Sequence, residues 1–480
     1  MMQRLWRDSV VYGLATVFSR GLGIILIPLY TRILPPADYG ALDMITVVAA
    51  LVTLVVPLEI GQGLARLWSD EATDAGRRRL AGTTFWFTAA MYALFLAGAL
   101  LLSPWITWRL LASDGYLAAM QIGLVLMMSN GLLFALQNQL RFELRSKEYA
   151  WISVLYGVLV AGLGALLGGG LGFGLVGVLG GQVIGAVLSC VIAYRVLHAS
   201  MDVTIDRAKL KQLLPFSWPL VFSSIAVYLS LYANRLVLNA LSSLDSVGLF
   251  AVGQRVASLI TLMIVGVQGA LTPLIYAHYK EPATPAMLAR IFSAFVAVSL
   301  LACLGLALFA PELVRIFAPP IYAPAAGLVA ILAPACLLSQ MYIFSPGIAL
   351  EKKTHWQFAV CLVGAVLCVG LSALLVPWLG GAGAAWASLL SAAGFLLVWM
   401  VVGQRWYPVP FDWQRIMAGF ALLVAGILAG QFLQGLSMSL LGSLLLRAVL
   451  LPIMALGLLL LGLVDIGAIR QALRRRRAAS

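Results

Sequence analysis

Residues 18–40 read FSRGLGIILIPLYTRILPPADYG, an apolar stretch that carries Arg20 and ends in a Pro-Pro turn before a second apolar segment. A helix that crosses a bilayer needs about 20 mostly apolar residues. An arginine inside such a helix costs about 2.5 to 3.5 kcal/mol on insertion scales. We therefore expect Arg20 to face other helices or a water-filled cavity, which makes it a functional candidate.

The composition indicates that membrane-spanning helices make up nearly the whole chain. Of the 480 residues, 62% are hydrophobic and 10% are charged, and the mean hydropathy is +1.01. Apolar runs of spanning length recur along nearly the entire sequence and leave no room for a soluble domain. We predict an all-α membrane protein with about fourteen transmembrane helices, twelve or thirteen being the alternatives.

Most of the 31 Lys and Arg residues fall in the amino-terminal tail and in alternate predicted loops. Basic residues accumulate in cytoplasmic loops, so this bias predicts that both termini of a multi-pass membrane protein are cytoplasmic. The net charge of +13 is then mainly a topology signal. The ending RQALRRRRAAS is expected to lie against anionic membrane lipids, and we predict no nucleic-acid partner.

Several segments recur at a nearly fixed offset. LPPADYG ends at Gly40 and LSSLDSVG at Gly248, and AGLGALL and VGLSALL repeat the offset of 208 residues. A common offset indicates duplicated halves that enter the membrane in the same direction. The predicted domains are a six-helix bundle over 1–200, a cytoplasmic linker over 201–214, a second bundle over 215–406, and helices 13–14 with a basic tail over 407–480.

Three arginines inside predicted spans are candidates for the substrate site: Arg20 in the first, Arg235 in the seventh and Arg255 in the eighth. Helices one and seven begin the two halves, so we expect these side chains to face a shared cleft, with Tyr228 on the same helical face as Arg235. We predict that Tyr228 and Asn234 bind the substrate together with the three arginines. Arginine suits phosphate because its planar fork donates two parallel hydrogen bonds. For each arginine, a structural ion pair or a side chain that reaches to the membrane surface is the alternative.

The second predicted helix carries two acidic candidates. Asp43 is expected either to pair with one of the three arginines or to bind a coupling ion, H⁺ or Na⁺. Glu59 is either a second ion-coupling candidate or the partner of Arg66 along one helix.

Catalytic and cofactor motifs are not apparent in the sequence. The glycine-rich run GGGLGFGLVGVLGG has no Gly-Lys-Ser/Thr after it, so we predict close helix packing and a tight turn rather than a nucleotide site. The three histidines are far apart and form no metal motif. We expect no catalytic residues, no cofactor and no bound metal, and transport rather than an enzymatic reaction.

Two stretches, PLYTRILPPADYGALDMI and NRLVLNALSSLDSVGLFAVGQRVASL, resemble the bacterial polysaccharide flippases, the Wzx-type O-antigen and exopolysaccharide exporters of the MATE-like MOP superfamily. The resemblance implies a V-shaped pair of six-helix bundles. It also implies alternating access that moves an undecaprenyl-diphosphate-linked oligosaccharide from the cytoplasmic to the periplasmic leaflet, for lipopolysaccharide or exopolysaccharide synthesis and with polysaccharide polymerase machinery as a further partner.

The same resemblance assigns the cationic cavity to Arg20, Arg235 and Arg255. Many members have an Asp-Arg pair in the seventh helix, where this chain has Asn234, so we expect Arg235 to be less neutralised. A fourteen-helix chain also resembles the lipid II flippase branch, whose extra helix pair forms a groove for the lipid tail.

Three other functions stay open: a MATE-type drug antiporter, a lipid II flippase, and a membrane enzyme or assembly scaffold. A MATE-type cation-coupled drug antiporter would need more membrane carboxylates than this sequence offers, and a lipid II flippase would carry a related cargo. Loss of a polysaccharide flippase should accumulate lipid-linked sugar in the cytoplasmic leaflet, loss of a drug antiporter should raise drug sensitivity, and a membrane enzyme should yield a new product.

Overall fold

The computed structural model describes residues 26–463 apart from Ser69, Lys352 and 436–438. The first part of the chain contains helical residues 26–33 (α1), α2 (Pro36–Val55), α3 (Ile60–Trp68), α4 (Asp74–Leu101), α5 (Ser103–Leu111), α6 (Leu117–Phe142), α7 (Ser146–Ala165), α8 (Gly174–Leu197) and α9 (Arg207–Leu241). The second part contains α10 (Leu244–Ala257), α11 (Ile260–His278), α12 (Thr284–Leu308), α13 (Ala310–Phe317), α14 (Ala325–Leu338), α15 (Gly347–Leu350), α16 (Thr354–Leu379), α17 (Gly381–Gln404), α18 (Trp413–Gly435) and α19 (Leu440–Leu460).

Thirteen helical segments of the described residues are long and apolar enough to cross a membrane. The predicted first span starts near residue 10, and most of it lies outside the described residues. No strand occurs in the part of the chain that the structure describes. The prediction of an all-α, multi-pass membrane protein with about fourteen helices is confirmed.

The helix starts carry the expected local signals. Pro36 lies in the first turn of α2, where a fixed φ and a missing N–H cost nothing. Asp206 caps α9 by accepting hydrogen bonds from the backbone N–H groups of Ala208 and Lys209, at 2.8 and 3.3 Å. Caps of this kind fix where the apolar segments begin.

Helix boundaries repeat with the offset that the sequence segments predicted. α2 begins at Pro36 and α10 at Leu244, and α7 begins at Ser146 and α16 at Thr354, so each pair is separated by 208 residues. α6 and α14 are separated by the same distance in the sequence. The helix starts therefore repeat with the offset of the sequence segments, and the division into duplicated halves stays a prediction.

The described chain divides into two compact units. The first comprises the described residues up to Ala251, with Phe317–Ile321 and Ser372–Gly381, and the second comprises Val252–Ile316, Tyr322–Leu371 and the described residues from Ala382 onward. The division at 1–200, 201–214, 215–406 and 407–480 stays a prediction.

Close packing in the first unit depends on the glycine-rich run. A Cβ on Gly177 would lie 2.4 Å from the carbonyl oxygen of Leu167, and one on Gly181 would lie 2.4 Å from the carbonyl carbon of Leu163. These glycines let the backbone of α8 lie directly against the end of α7. The prediction of close helix packing by this run is confirmed.

In the second unit, a buried arginine attaches α19 to neighbouring helices. Arg447 is 2% exposed, and its Nη2 lies 2.6 Å from Oε1 of Glu312 on α13. Its Nη1 donates to the carbonyl oxygen of Leu308 at 2.7 Å and to Oε2 of Glu312 at 3.2 Å. The bidentate pair attaches the last described helix to the ends of α12 and α13.

Candidate functional site

A buried ion pair joins α2 to α9. Nε of Arg235 lies 3.1 Å from Oδ2 of Asp43, and the side chains are 13% and 7% exposed, respectively. The prediction that Asp43 pairs with one of the membrane arginines is confirmed. The expectation that Asn234 leaves Arg235 less neutralised is wrong for this conformation, because Asp43 supplies the carboxylate from the facing helix.

Aromatic rings complete the surroundings of the Arg235 guanidinium. Its Cζ lies 5.5 Å from the ring centre of Tyr232 and 5.8 Å from that of Phe250. Such cation–π contacts stabilise a charge that has lost most of its water. Arg235 is therefore held by one carboxylate and two rings in a mainly apolar environment.

The other predicted residues of α9 lie in the same helix interface. Tyr228 is 2% exposed and its hydroxyl donates to the carbonyl oxygen of Val47 at 3.2 Å. Oδ1 of Asn234 accepts from the backbone N–H of Arg235 at 2.8 Å. Asn239 donates to the carbonyl oxygen of Leu110 at 2.6 Å. In this conformation Tyr228 attaches α9 to α2 and Asn239 attaches it to α5, whereas the Oδ1 contact of Asn234 lies within α9.

One turn before Asp43, α2 crosses α10 through two glycines. A Cβ on Gly40 would lie 2.0 Å from the carbonyl oxygen of Leu244, and one on Gly248 would lie 2.0 Å from that of Pro36. Both distances are far below van der Waals contact, so only glycine fits at either position. Gly40 and Gly248 are also the equivalent residues of the two sequence repeats, and the contact is reciprocal.

The other two predicted arginines are not part of this ion pair as described. Arg20 lies outside the described residues, so its predicted place in the cavity stays a prediction. Arg255 lies in the last turn of α10, directly before Ser258 and Leu259 separate α10 from α11. A cation in the last turn of a helix interacts favourably with the helix dipole. The structure thus brings Arg235, Tyr228, Asn234 and Asp43 together, whereas Arg255 lies beside a helix break.

Glu59 lies in a strained break between α2 and α3. Leu58 and Glu59 have φ values of 51° and 52°, which side-chain-bearing residues rarely adopt. The hydroxyl of Ser224 on α9 donates to Oε1 of Glu59. Glu59 precedes α3, and its carboxylate faces α9. The alternative partner, Arg66, has its guanidinium 5.0 Å from the ring centre of Phe216.

A cavity of about 400 Å³ opens beside this break, within the first unit. Hydroxyl, amide and carboxylate groups line it, contributed by Thr53, Glu59, Gln62, Thr88, Tyr92 and Asn138. Phe134 and Phe142 add apolar walls. The volume is within the range of small-molecule sites, and a broken membrane helix is a common place for an ion or substrate site.

Sequence reasoning missed the helix break and the glycine crossing. Pro57, followed by Gly61 and Gly63, is a sequence signal that a span is interrupted. The crossing had a weaker signal: the repeat identified Gly40 and Gly248 as equivalent, but equivalence alone does not imply contact.

Comparisons with known proteins agree with this fold. The family described as "Polysaccharide biosynthesis protein" matches residues 5–278. None of the curated proteins matches the chain. The structure of the lipid II flippase MurJ in an inward closed conformation has a TM-score of 0.73 at 14% identity, and the match covers 94% of this chain and 98% of MurJ.

Two further solved structures share the fold. An inward-facing multidrug resistance MATE family transporter of the MOP superfamily has a TM-score of 0.64 at 17% identity, covering 80% of this chain and 94% of the transporter. A MOP superfamily transporter from Pyrococcus furiosus, described as having a binding pocket of reversed polarity, has a TM-score of 0.58 at 16% identity, covering 83% and 95%. The chain belongs to the polysaccharide biosynthesis protein family of flippases, with the fold of the MOP superfamily.

Proposed function

We propose that this protein flips an undecaprenyl-diphosphate-linked oligosaccharide from the cytoplasmic to the periplasmic leaflet by alternating access, for cell-surface polysaccharide synthesis. The observation that carries the proposal is the buried Arg235–Asp43 pair, a guanidinium whose partner carboxylate can be exchanged for phosphate. No chemical conversion of the cargo is needed, and the protein acts as a transporter rather than an enzyme.

In this mechanism the diphosphate competes with Asp43 for Arg235. Phosphate oxygens accept the same two parallel hydrogen bonds from a guanidinium as a carboxylate does. Once Arg235 turns to the cargo, the ion pair no longer joins α2 to α9, and the two helices can separate. Arg20 and Arg255 bind the diphosphate together with Arg235, while Tyr228 and Asn234 position α9.

Ion coupling follows from the same pair. A proton or Na⁺ on Asp43 weakens its attraction for Arg235 and so favours cargo binding. A ligand biases a conformational cycle only if it binds the two states with unequal affinity. In this proposal a proton or Na⁺ binds Asp43 more tightly when the carboxylate is not paired with Arg235. Glu59 is the second coupling candidate, because its carboxylate faces both the 400 Å³ cavity and Ser224 on α9.

The wider arrangement in this proposal has two six-helix bundles, 1–200 and 215–406, joined by the cytoplasmic linker 201–214. Both termini are cytoplasmic, in the inner membrane of a bacterium. The cargo is part of O-antigen, lipopolysaccharide or exopolysaccharide synthesis, and polymerase machinery receives it. Residues 407–480 add the last helix pair, which is the candidate surface for the lipid tail.

The direct test is an export assay with Arg20→Ala, Arg235→Ala and Arg255→Ala. Each variant should insert into the membrane and lose export, although Arg235→Ala should also be less stable because it leaves Asp43 unpaired. A lysine at the same position should restore export only in part, because an ammonium lacks the planar fork. Arg405→Ala is the matched control, since Arg405 is exposed and lies outside the predicted spans. Wild-type export by the Arg20→Ala and Arg255→Ala variants would refute the proposal.

A lipid II flippase is the second candidate, favoured by the coverage of MurJ along almost its whole length. A conditional deletion separates the candidates. Accumulation of lipid-linked oligosaccharide in the cytoplasmic leaflet supports the proposal, accumulation of lipid II supports the second candidate, and raised drug sensitivity alone supports a MATE-type antiporter.

A further inference from the structure

A second charged cavity lies in the second unit, where α12 and α18 begin and α19 ends. Its volume is about 360 Å³, and it is lined by α12, by the segment before α18, by the first turn of α18 and by the residues that follow α19. Its charged lining residues are Arg290, Asp412 and Arg415. Ala286 and Ala289 have small side chains that leave the cavity open.

The charges in this cavity do not cancel. Nε of Arg415 lies 2.8 Å from Oδ2 of Asp412, and its Nη1 donates to the carbonyl oxygen of Gly462 at 3.3 Å. Arg290 is exposed and has no hydrogen bond or ion pair with any residue of the described ranges. The described lining therefore carries one uncompensated positive charge, at Arg290.

The position along the spans places the cavity at a membrane surface. The spans of α12 and α18 begin at Thr284 and Trp413, and that of α19 ends at Leu460. The spans of α18 and α19 are only 22% and 17% buried, the lowest shares of the thirteen. Large apolar side chains such as Met417 and Leu460 are 63% and 79% exposed beside the cavity. A cationic cavity thus adjoins an apolar surface that faces lipid.

We propose that this cavity binds the headgroup of an anionic glycerophospholipid, with Arg290 on the phosphate and the acyl chains along α18 and α19. Basic pockets between membrane helices bind such headgroups. One uncompensated positive charge matches the single negative charge of a phosphodiester, whereas a diphosphate carries more than one negative charge. The tail that follows, with Asp465, Arg470 and four arginines at 474–477, lies outside the described residues and is not part of the proposed site.

The test measures lipid binding by the full chain in neutral phosphatidylcholine nanodiscs titrated with phosphatidylglycerol. Arg290→Gln should raise the apparent Kd for phosphatidylglycerol roughly fivefold, as expected for the loss of one basic contact at an anionic surface. Arg405→Gln, which removes an equally exposed arginine outside the cavity, should leave the Kd unchanged. Arg290→Glu should weaken binding further.

Three outcomes would overturn the proposal. Equal affinity of wild type and Arg290→Gln would show that the cavity does not bind this headgroup. Saturation by inorganic phosphate, or displacement of phosphatidylglycerol by undecaprenyl diphosphate, would assign the cavity to another phosphate ligand. Tighter binding in Asp465→Asn that persists after Arg290→Gln would place the lipid on the tail instead. Glycan export by Arg20→Ala and Arg255→Ala is scored separately, so the two proposals fail independently.

Discussion

At the residue scale, the pairing of Arg235 with Asp43 shows what sequence reasoning can and cannot supply. Both residues were identifiable as costly charges inside predicted spans, and a carboxylate partner for an arginine was expected. The arginine that pairs with Asp43 was not predictable. Asp43 and Arg235 are far apart in the sequence, and the crossing of α2 and α9 depends on the whole fold. The effect of Asn234 was not predictable for the same reason, since the carboxylate beside Arg235 comes from another helix.

The first prediction concerns this ion pair. Asp43→Asn and Arg235→Gln should each lower the free energy of unfolding by about 3 kcal/mol, because each leaves a buried charge without its partner. The double variant should lose less than the sum of the two, since it leaves no unpaired charge. The measurement is thermal unfolding in detergent of the purified wild type, the two single variants and the double variant. Additive losses would mean that the two side chains do not interact energetically.

A second prediction at this scale concerns Ser224 and Glu59. Ser224→Ala removes the hydroxyl that donates to the carboxylate of Glu59, so α9 loses its hydrogen bond to the break between α2 and α3. The expected cost is about 1 kcal/mol of unfolding free energy. If Glu59 is a coupling site, the pH or Na⁺ dependence of export should also change. Ser230→Ala is the matched control, because Ser230 lies on the same helix and donates to the carbonyl oxygen of Ala226.

At the scale of elements, the equivalent segments of the sequence repeat contact each other where α2 crosses α10. The sequence predicted the helices because apolar length is a local signal, and the constant offset was visible because it depends only on the order of residues along the chain. It did not predict the crossing, since two equivalent segments can lie far apart in a folded chain. The break at Leu58 and Glu59 was missed for a similar reason: its strained backbone is supported by tertiary contacts rather than by local preference.

The third prediction tests the crossing. Gly40→Ala places a methyl group on the carbonyl oxygen of Leu244, so the helices must move apart, at a cost of about 1 to 3 kcal/mol. Gly248→Ala should act in the same way through Pro36. In contrast, a Cβ on Gly98 in α4 meets nothing within 4 Å, so Gly98→Ala should leave stability unchanged or raise it slightly. A Gly40→Ala variant as stable as Gly98→Ala would contradict the observed contact.

At the scale of the whole molecule, the last helix pair is firmly attached within the second unit. Sequence reasoning predicted helices 13–14 from their apolar length but gave no role to Arg447, which lies inside the last span. The structure gives it one, because its bidentate contact with Glu312 and the carbonyl oxygen of Leu308 ties α19 to α12 and α13. An arginine in a membrane segment can therefore serve architecture, and its chemistry alone does not make it a substrate ligand.

The fourth prediction follows from that attachment. Glu312→Ala leaves Arg447 buried without its carboxylate and should lower the free energy of unfolding by about 3 kcal/mol, with faster hydrogen exchange in α19. Adding Arg447→Met should restore much of the loss, because an apolar side chain then fills the site. Glu148→Ala removes a more exposed partner, 41% accessible, and should cost less than about 1 kcal/mol. Equal losses in the two single variants would contradict this assignment.

The reciprocal contact between Gly40 and Gly248 has a consequence for the ancestry of the chain. Each glycine lies against the backbone of the other's segment, Gly40 at Leu244 and Gly248 at Pro36, which is the self-complementary pattern of an isologous interface between identical subunits. A half-length chain with one such segment could make the same contact with a second copy of itself. Gene fusion would then have joined two subunits that already shared this contact before the linker existed.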